Sequence, residues 1–461
     1  MKRMNRRDFL RTSGAAAAAT LAATPGLTYA QMVGSGAPFG DYKALVCIFM
    51  FGGNDSFNMV VPSSNAEYNA YAASRQNLAI NQQDLLAINP QTSDGATYGL
   101  HPAMSSLQQL FNNTDDVALV SNVGPLIEPT TRDQIYNQSV DVPPQLFSHN
   151  DQQDQWLSLR GKSVSKTGWA RRMADLILIN VAGQQMATNA SLFGNNTFQA
   201  ADDTVPYVMG QNGPDQCAYM SSDPNAGLLY DQGLAFGRII DAQFGSIYER
   251  GFAQVQRRAI DNAELVSGAI QAAEDSGAIT TVFPQGQLGT QLSTVAKLIA
   301  SRDLLQMERQ VFFVATGGFD SHDNQNQDQP GLLANISECI SAFHSAMTND
   351  LQIGDEVTTF TQSDFGRTLT SNGDGTDHAW GGNQIVVGGA VNGRDMYGPD
   401  PSLELGQNNP DDVGGGRLIP ATSADQYAAT LAKWFGIPDV DLDIVAPHID
   451  NFMQRDLGFM V

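Results

Sequence analysis

Cysteine is scarce in this 461-residue chain: Cys47, Cys217 and Cys339 are the only three, and they lie far apart. With no C-x-x-C spacing, a structural zinc site made of thiolates is excluded. Cys47 falls in an apolar strand pattern and Cys339 on the apolar side of a helix pattern, so both read as core packing. Basic residues are also few, 25 against 48 acidic ones, for a formal charge of −23. Such a surface repels nucleic acid and anionic membrane, which disfavours both as partners. It repels phosphate and sulfate esters at long range too, so a small anionic substrate has to be drawn in by a local cation. No run beyond residue 30 is long and apolar enough to span a bilayer, which takes roughly 20 apolar residues. G-x-S-x-G is missing as well, which argues against an α/β-hydrolase triad.

What is present starts at the N-terminus. Asn5-Arg6-Arg7-Asp8-Phe9-Leu10-Arg11 reads as a twin-arginine signal, followed by an alanine-rich apolar stretch and a small-residue cleavage pattern, Thr28-Tyr29-Ala30. Residues 1–30 are therefore expected to be a signal peptide handled by the twin-arginine translocase, leaving 31–461 as one domain in the periplasm or outside the cell. The leader holds five basic residues and one acidic, so the remainder carries 20 basic against 47 acidic residues, near −27.

Short β-branched runs, each closed by a polar glycine-rich turn, read as buried parallel strands. They are residues 44–51, 117–123, 310–315, 356–361 and 384–387. Between them, helical spacing recurs in Leu288, Leu292, Val295, Leu298 and Ile299, in Leu333, Ile336, Cys339, Ile340 and Phe343, and in Tyr427, Leu431, Trp434 and Phe435. Alternating strands and helices imply an α/β fold, a mainly parallel sheet sandwiched by helices. Residues 190–286 differ in composition and are expected to form a helical cap or insertion. In open α/β sheets ligands bind beyond the carboxyl ends of strands, and the polar motifs sit there.

Three of the six histidines lie in those turns: His149 in Phe147-Ser148-His149-Asn150-Asp151, His322 in Gly318-Phe319-Asp320-Ser321-His322, and His378 in Gly375-Thr376-Asp377-His378. With Asp55 and Asp364, each just past a strand, they make a mixed carboxylate and imidazole set from separate strand ends. Such donors suit zinc, manganese or iron, whereas carboxylates alone suit magnesium or calcium. The candidate metal ligands are thus Asp55, Asp320, His322, Asp364, Asp377, His378 and His149, for one or two divalent ions, zinc or manganese first. Asp55 is equally suited to capping the helix that starts near Asn58. Candidate catalytic residues are Ser148 and Ser56 as nucleophiles and Arg367, which either binds an anionic oxygen bidentately or pairs with a site aspartate. His101 either approaches the site or caps a helix; His344 and His448 read as structural.

Those same motifs carry a resemblance. The leader, Gly52-Gly53-Asn54-Asp55, Gly318 to His322, Ser363-Asp364-Phe365-Gly366-Arg367, Gly375 to His378 and Gly415-Gly416-Arg417-Leu418-Ile419-Pro420 together resemble the bacterial family called domain of unknown function 1501, within the alkaline phosphatase superfamily. The resemblance implies an alkaline-phosphatase-like fold and a metal site beside a Ser or Thr nucleophile. Carried over, Asp55 resembles the first-strand ligand, Asp320 and His322 the next pair, Asp364 the following acidic ligand and His378 the last histidine. Where superfamily members commonly have Asp-His this chain has Asp364-Phe365, which puts one of two metals in doubt. Without a C-x-P-x-R or S-x-P-x-R sequence, a formylglycine sulfatase mechanism is excluded. The expectation is an exported metal-dependent hydrolase of a phosphate or sulfate ester, or a non-catalytic metal- or ligand-binding protein on the same fold.

Overall fold

A computed structural model describes residues 37–92, 95–161, 167–200, 206–215, 224–242 and 244–461. The leader and Cys217 lie outside the described residues. Fourteen strands occur among those described: β1 (Lys43–Met50), β2 (Val60–Pro62), β3 (Leu86–Ile88), β4 (Tyr98–Leu100), β5 (Val117–Gly124), β6 (Asn189–Ser191), β7 (Tyr207–Val208), β8 (Arg309–Thr316), β9 (Val357–Ser363), β10 (Arg367–Ser371), β11 (Thr376–His378), β12 (Gly382–Val387), β13 (Asp395–Tyr397) and β14 (Thr422–Ser423). The main sheet runs β13-β5-β12-β9-β1-β8-β6-β7, with β14 also on β5. Every pairing in it is parallel except the two made by β12, which runs against β5 and β9. The mainly parallel sheet read from the sequence is therefore present, with one reversed strand.

The reason β1 reads as an unbroken apolar run is that both of its faces are covered. Ala44, Val46, Ile48 and Met50 point into a core shared with Leu292, Val295, Leu333, Ile336 and Phe343. Leu45, Cys47 and Phe49 point the other way, against Trp169, Tyr427, Leu431 and Phe435. Each fully buried Val, Leu, Ile, Phe or Met among them contributes about 1.5–3 kcal/mol. Helices Gln287–Ala300 and Gln325–Ser345 thus supply one layer and Trp169–Leu176 and Ala424–Phe435 the other. Cys47 and Cys339 are free thiols in these cores, as their apolar settings imply.

Register decides where the site falls. Met50 lies level with Thr316 on one side and Ser363 on the other, so three adjacent central strands end together. Phe51 donates to the Thr316 carbonyl at 2.9 Å and Phe319 donates back to the Phe51 carbonyl at 3.2 Å. The loops after β1, β8 and β9 are consequently laced into one platform, which the β10–β11 hairpin meets. In the 190–286 region, β6 and β7 extend the main sheet, and helices Leu228–Ile240 and Ile247–Ser276 follow. Among the described residues no helix is long and apolar enough to cross a membrane.

Candidate metal centre

Four elements deliver the imidazoles and carboxylates to one spot. Asp320 and His322 come from the turn after β8, and Asp364 is the first residue past β9. His378 ends β11, and His149 opens the helix His149–Ser158. Gly52 makes the close approach possible. Its φ is +116°, and a Cβ there would meet the Asp320 nitrogen at 2.3 Å, so only a glycine lets the β1 turn lie against the β8 turn.

The atoms that face each other are His149 Nε2, Asp320 Oδ1 and Oδ2, His322 Nε2 and His378 Nε2. His149 Nε2 is 3.5 Å from Asp320 Oδ2; Asp320 Oδ1 is 3.1 Å from His322 Nε2 and 3.4 Å from His378 Nε2. The two last imidazoles approach to 2.9 Å between their Nε2 atoms. Ligand atoms of His149, Asp320 and His378 all lie within 4.8 Å of one another.

Behind each imidazole stands an acceptor. His378 Nδ1 donates to the Phe147 carbonyl at 2.7 Å, His149 Nδ1 meets Asp364 Oδ2 at 2.6 Å, and His322 Nδ1 lies 3.3 Å from Asp377 Oδ1. A carbonyl only accepts, so the neutral His378 ring keeps its proton on Nδ1 and turns a bare lone pair inward. Burial pulls the pKa of His378 down, against the Phe147 hydrogen bond, which favours that neutral ring. The inward faces of His149 and His378 and the Asp320 carboxylate therefore gather at one point, with His322 Nε2 beside them at 2.9 Å from His378 Nε2. That arrangement repels itself unless a cation or a proton stands between them. Distances of 3.1–3.5 Å match the roughly 3.3–3.4 Å edge of a tetrahedron whose metal–nitrogen bonds are about 2.0–2.1 Å. The donor set of His149, Asp320 and His378 fits a divalent metal.

Asp320 is fixed by Arg367. This buried guanidinium donates to Asp320 Oδ1 at 2.8 Å, to the Gly52 carbonyl at 3.1 Å, to Thr376 Oγ1 at 3.2 Å and to the Thr376 carbonyl. Partial burial works against ionisation of Asp320, yet the hydrogen bond and charge of Arg367 hold its carboxyl below the usual range, with smaller help from His322 and His149. Phe365 packs its ring 4.8 Å from His149 and 4.6 Å from His378, between centroids. Arg417, from the closing Gly-Gly-Arg motif, donates to the His378 carbonyl at 3.0 Å and lies over the Phe147 ring.

Several sequence assignments are corrected. Asp55 does not join the cluster. It is buried with the guanidinium of Arg75 on one oxygen, and Gln325 donates to that oxygen as well; the cation it holds is an arginine. Asp364 stands behind His149, taking hydrogen bonds from His149, Gln153 at 2.8 Å and the Gly52 nitrogen at 3.2 Å. Asp377 lies behind His322 at 3.3 Å from its Nδ1, more exposed, and accepts a hydrogen bond from Asn372. Ser56 is buried away from the cluster's imidazoles, and its Oγ accepts from the Asn383 nitrogen at 2.7 Å. Arg367 is spent on Asp320 and the backbone, which leaves the ion-pair alternative rather than oxyanion binding. Ser148 precedes His149 at the helix start and donates to Asp151 Oδ2 at 2.6 Å. His101 accepts from the Ala103 nitrogen at 3.1 Å, in the turn before helix Ser105–Asn113. Phe365, Gln153 and the Phe147 carbonyl went unassigned in the sequence, although Phe147 and Phe365 sit inside the quoted motifs.

Residues 240–443 match the family described as Protein of unknown function (DUF1501), and residues 3–23 match the TAT (twin-arginine translocation) pathway signal sequence. The first of these spans contains four of the motifs that carried the resemblance. No curated protein matches the chain. Among solved structures, the chain is similar to the soluble domain of lipooligosaccharide phosphoethanolamine transferase A from Neisseria meningitidis, at 9% identity and a TM-score of 0.30 over 90% of this chain and 95% of that one. It is also similar to Ps i-CgsB in complex with k-i-k-neocarrahexaose, at 9% identity and a TM-score of 0.33 over 88% of this chain and 74% of that one. The leader match bears out export through the twin-arginine pathway, to the periplasm or beyond.

Proposed function

We propose that this exported chain, bearing a DUF1501 region and a twin-arginine leader, is a metal-dependent hydrolase of a phosphate or sulfate ester that holds one divalent cation, zinc or manganese. The observation that carries the reading is the inward convergence of His149, His378 and Asp320, with His322 beside them and the Nδ1 atoms of His149 and His378 tied back by Asp364 and the Phe147 carbonyl. One cation rather than two is supported because Arg75 already neutralises Asp55. A divalent ion in such a site acts as a Lewis acid on an ester oxygen. It also supplies the local positive charge that an anionic substrate needs against a chain of −23.

The protein's own side chains do the rest. Asp364 keeps the His149 proton on Nδ1 and fixes the ring plane, and the Phe147 carbonyl does the same for His378. Arg367 keeps Asp320 ionised and aimed inward. Ser148 is the nucleophile in this reading. Its hydroxyl is bonded to Asp151, which would take the proton as Oγ bonds to phosphorus or sulfur and the ester bond to the alcohol breaks; that proton goes to the leaving alcohol, and water then hydrolyses the seryl ester.

One observation favours a second reading. If His322 completes a four-ligand shell, the site is closed in the manner of structural zinc centres, and the protein binds metal without turnover. Protein folded and exported in its own host, analysed for metal and then screened with aryl phosphates and sulfates before and after chelation, tests both. The hydrolase reading expects near one metal per chain, activity lost on chelation and restored by the ion, and a Ser148→Ala variant that keeps metal but not turnover. Stoichiometric metal with no turnover on either ester class would leave the binding reading in place.

A further inference from the structure

The apolar residues of 228–255 are where a core would need them, yet they face water. Helix Leu228–Ile240 buries Ile240 alone, and the 30-residue helix Ile247–Ser276 buries Ala253 and then nothing before Val266. At about 1.5 Å per residue the longer helix spans roughly 45 Å. Its last turns pack in the core through Val266, Ala269 and Ile270, and it also contacts the shorter helix, with Arg257 paired to Asp241 just past that helix. The pair is an arm that leaves the body. Leu228 is 70% exposed, Ile239 59%, Ile247 71%, Tyr248 86% and Phe252 64%. Tyr248, Phe252 and Val255 repeat at the i, i+4, i+7 spacing by which a helix buries a face, and none of the three is buried among the described residues.

We infer that this arm is a dimerisation element whose occupant is the same arm of a second copy of the chain, the two helical hairpins packing about a two-fold axis as a four-helix bundle. Two arguments select that occupant. The first is area. The exposed large side chains of 228–255 together offer on the order of 900 Å², at roughly 150–250 Å² for a whole aromatic side chain, close to the roughly 800 Å² each partner gives a standard interface.

The second argument is charge. Between 228 and 264 stand Arg238, Arg250, Arg257 and Arg258 against Asp231, Asp241, Glu249, Asp261 and Glu264, a net of −1 in a chain of −23. Two such acidic molecules repel over most of their surfaces, and the arm is where approach costs least. Mixed signs within the arm also suit an isologous contact, in which acids of one copy outside the Arg257–Asp241 pair can meet arginines of the other. An arm built for an anionic lipid surface carries an excess of Lys and Arg, and this one does not.

Sedimentation velocity of the processed protein across the micromolar range, at low and high salt, tests the inference. The expected result is a dimer that tightens as salt screens the acidic bodies. A Tyr248→Glu/Phe252→Glu variant is expected to dimerise at least about a hundredfold more weakly, with an unchanged circular dichroism melt. A Val440→Glu/Met453→Glu control, altered at equally exposed apolar residues elsewhere, should stay dimeric. Three results overturn the proposal: a wild type that stays monomeric at both salt concentrations, a double arm variant that dimerises like wild type, or a monomer whose arm binds vesicles containing phosphatidylglycerol.

Discussion

His149 is the residue on which the account can be tested most sharply without touching a ligand, because its partner Asp364 sits one bond farther back. Asp364 is buried, and burial raises its pKa against the hydrogen bonds from Gln153 and His149. A fixed carboxylate behind a ligating imidazole raises ligand basicity and sets ring orientation, and its loss typically weakens metal binding roughly 10–100-fold. Asp364→Asn is expected to weaken zinc binding by that factor in isothermal titration calorimetry. The apo protein should melt no lower, since the substitution removes a buried charge. Unchanged affinity would show that Asp364 is packing, not support. This scale is also where the sequence was least legible. Asp55 carries the right residue type just beyond a strand, but its partner Arg75 lies at the end of helix Asn65–Arg75 and nothing in spacing connects them. Asp364 and Asp377 were readable as site residues, and only coordinates could place them behind the rings.

At the scale of elements, the platform of three strand ends does what no single residue can. Gly52, on the turn after β1, lies against the backbone of Asp320, and a Cβ there has backbone rather than a flexible side chain to push. Gly52→Ala is expected to cost about 1–3 kcal/mol, from a strained left-handed φ and the displaced turn. Metal content should fall with it, because Asp320 moves. Thermal unfolding and elemental analysis of the variant read both effects, and a variant with full metal and an unshifted melt would contradict the platform. The strands behind that platform were legible because burial on both faces leaves uninterrupted apolar runs. Direction was not: the run at 384–387 looks like its neighbours, and only pairing shows that β12 is reversed. Helix Gln325–Ser345 starts well before its apolar stripe at Leu333 because its first turns carry buried Gln325 and Gln329, polar residues that serve Asp55.

For the whole molecule, charge and export shape everything else. A chain of −23 that carries an export signal has, among the described residues, one cluster of imidazole and carboxylate groups that could hold a cation against that charge. The class of architecture, the export route and the motif-bearing strand ends were all open to reading from residues alone. The assignment of roles within the site needed the register of β1, β8 and β9. Most directly, the central claim is tested by diffraction from crystals of the metal-loaded protein, recorded on both sides of the zinc absorption edge. The account predicts one anomalous peak, lying between His149, His322, His378 and Asp320. A loaded protein whose only peak lies elsewhere, or one with no peak among those four side chains, would contradict it.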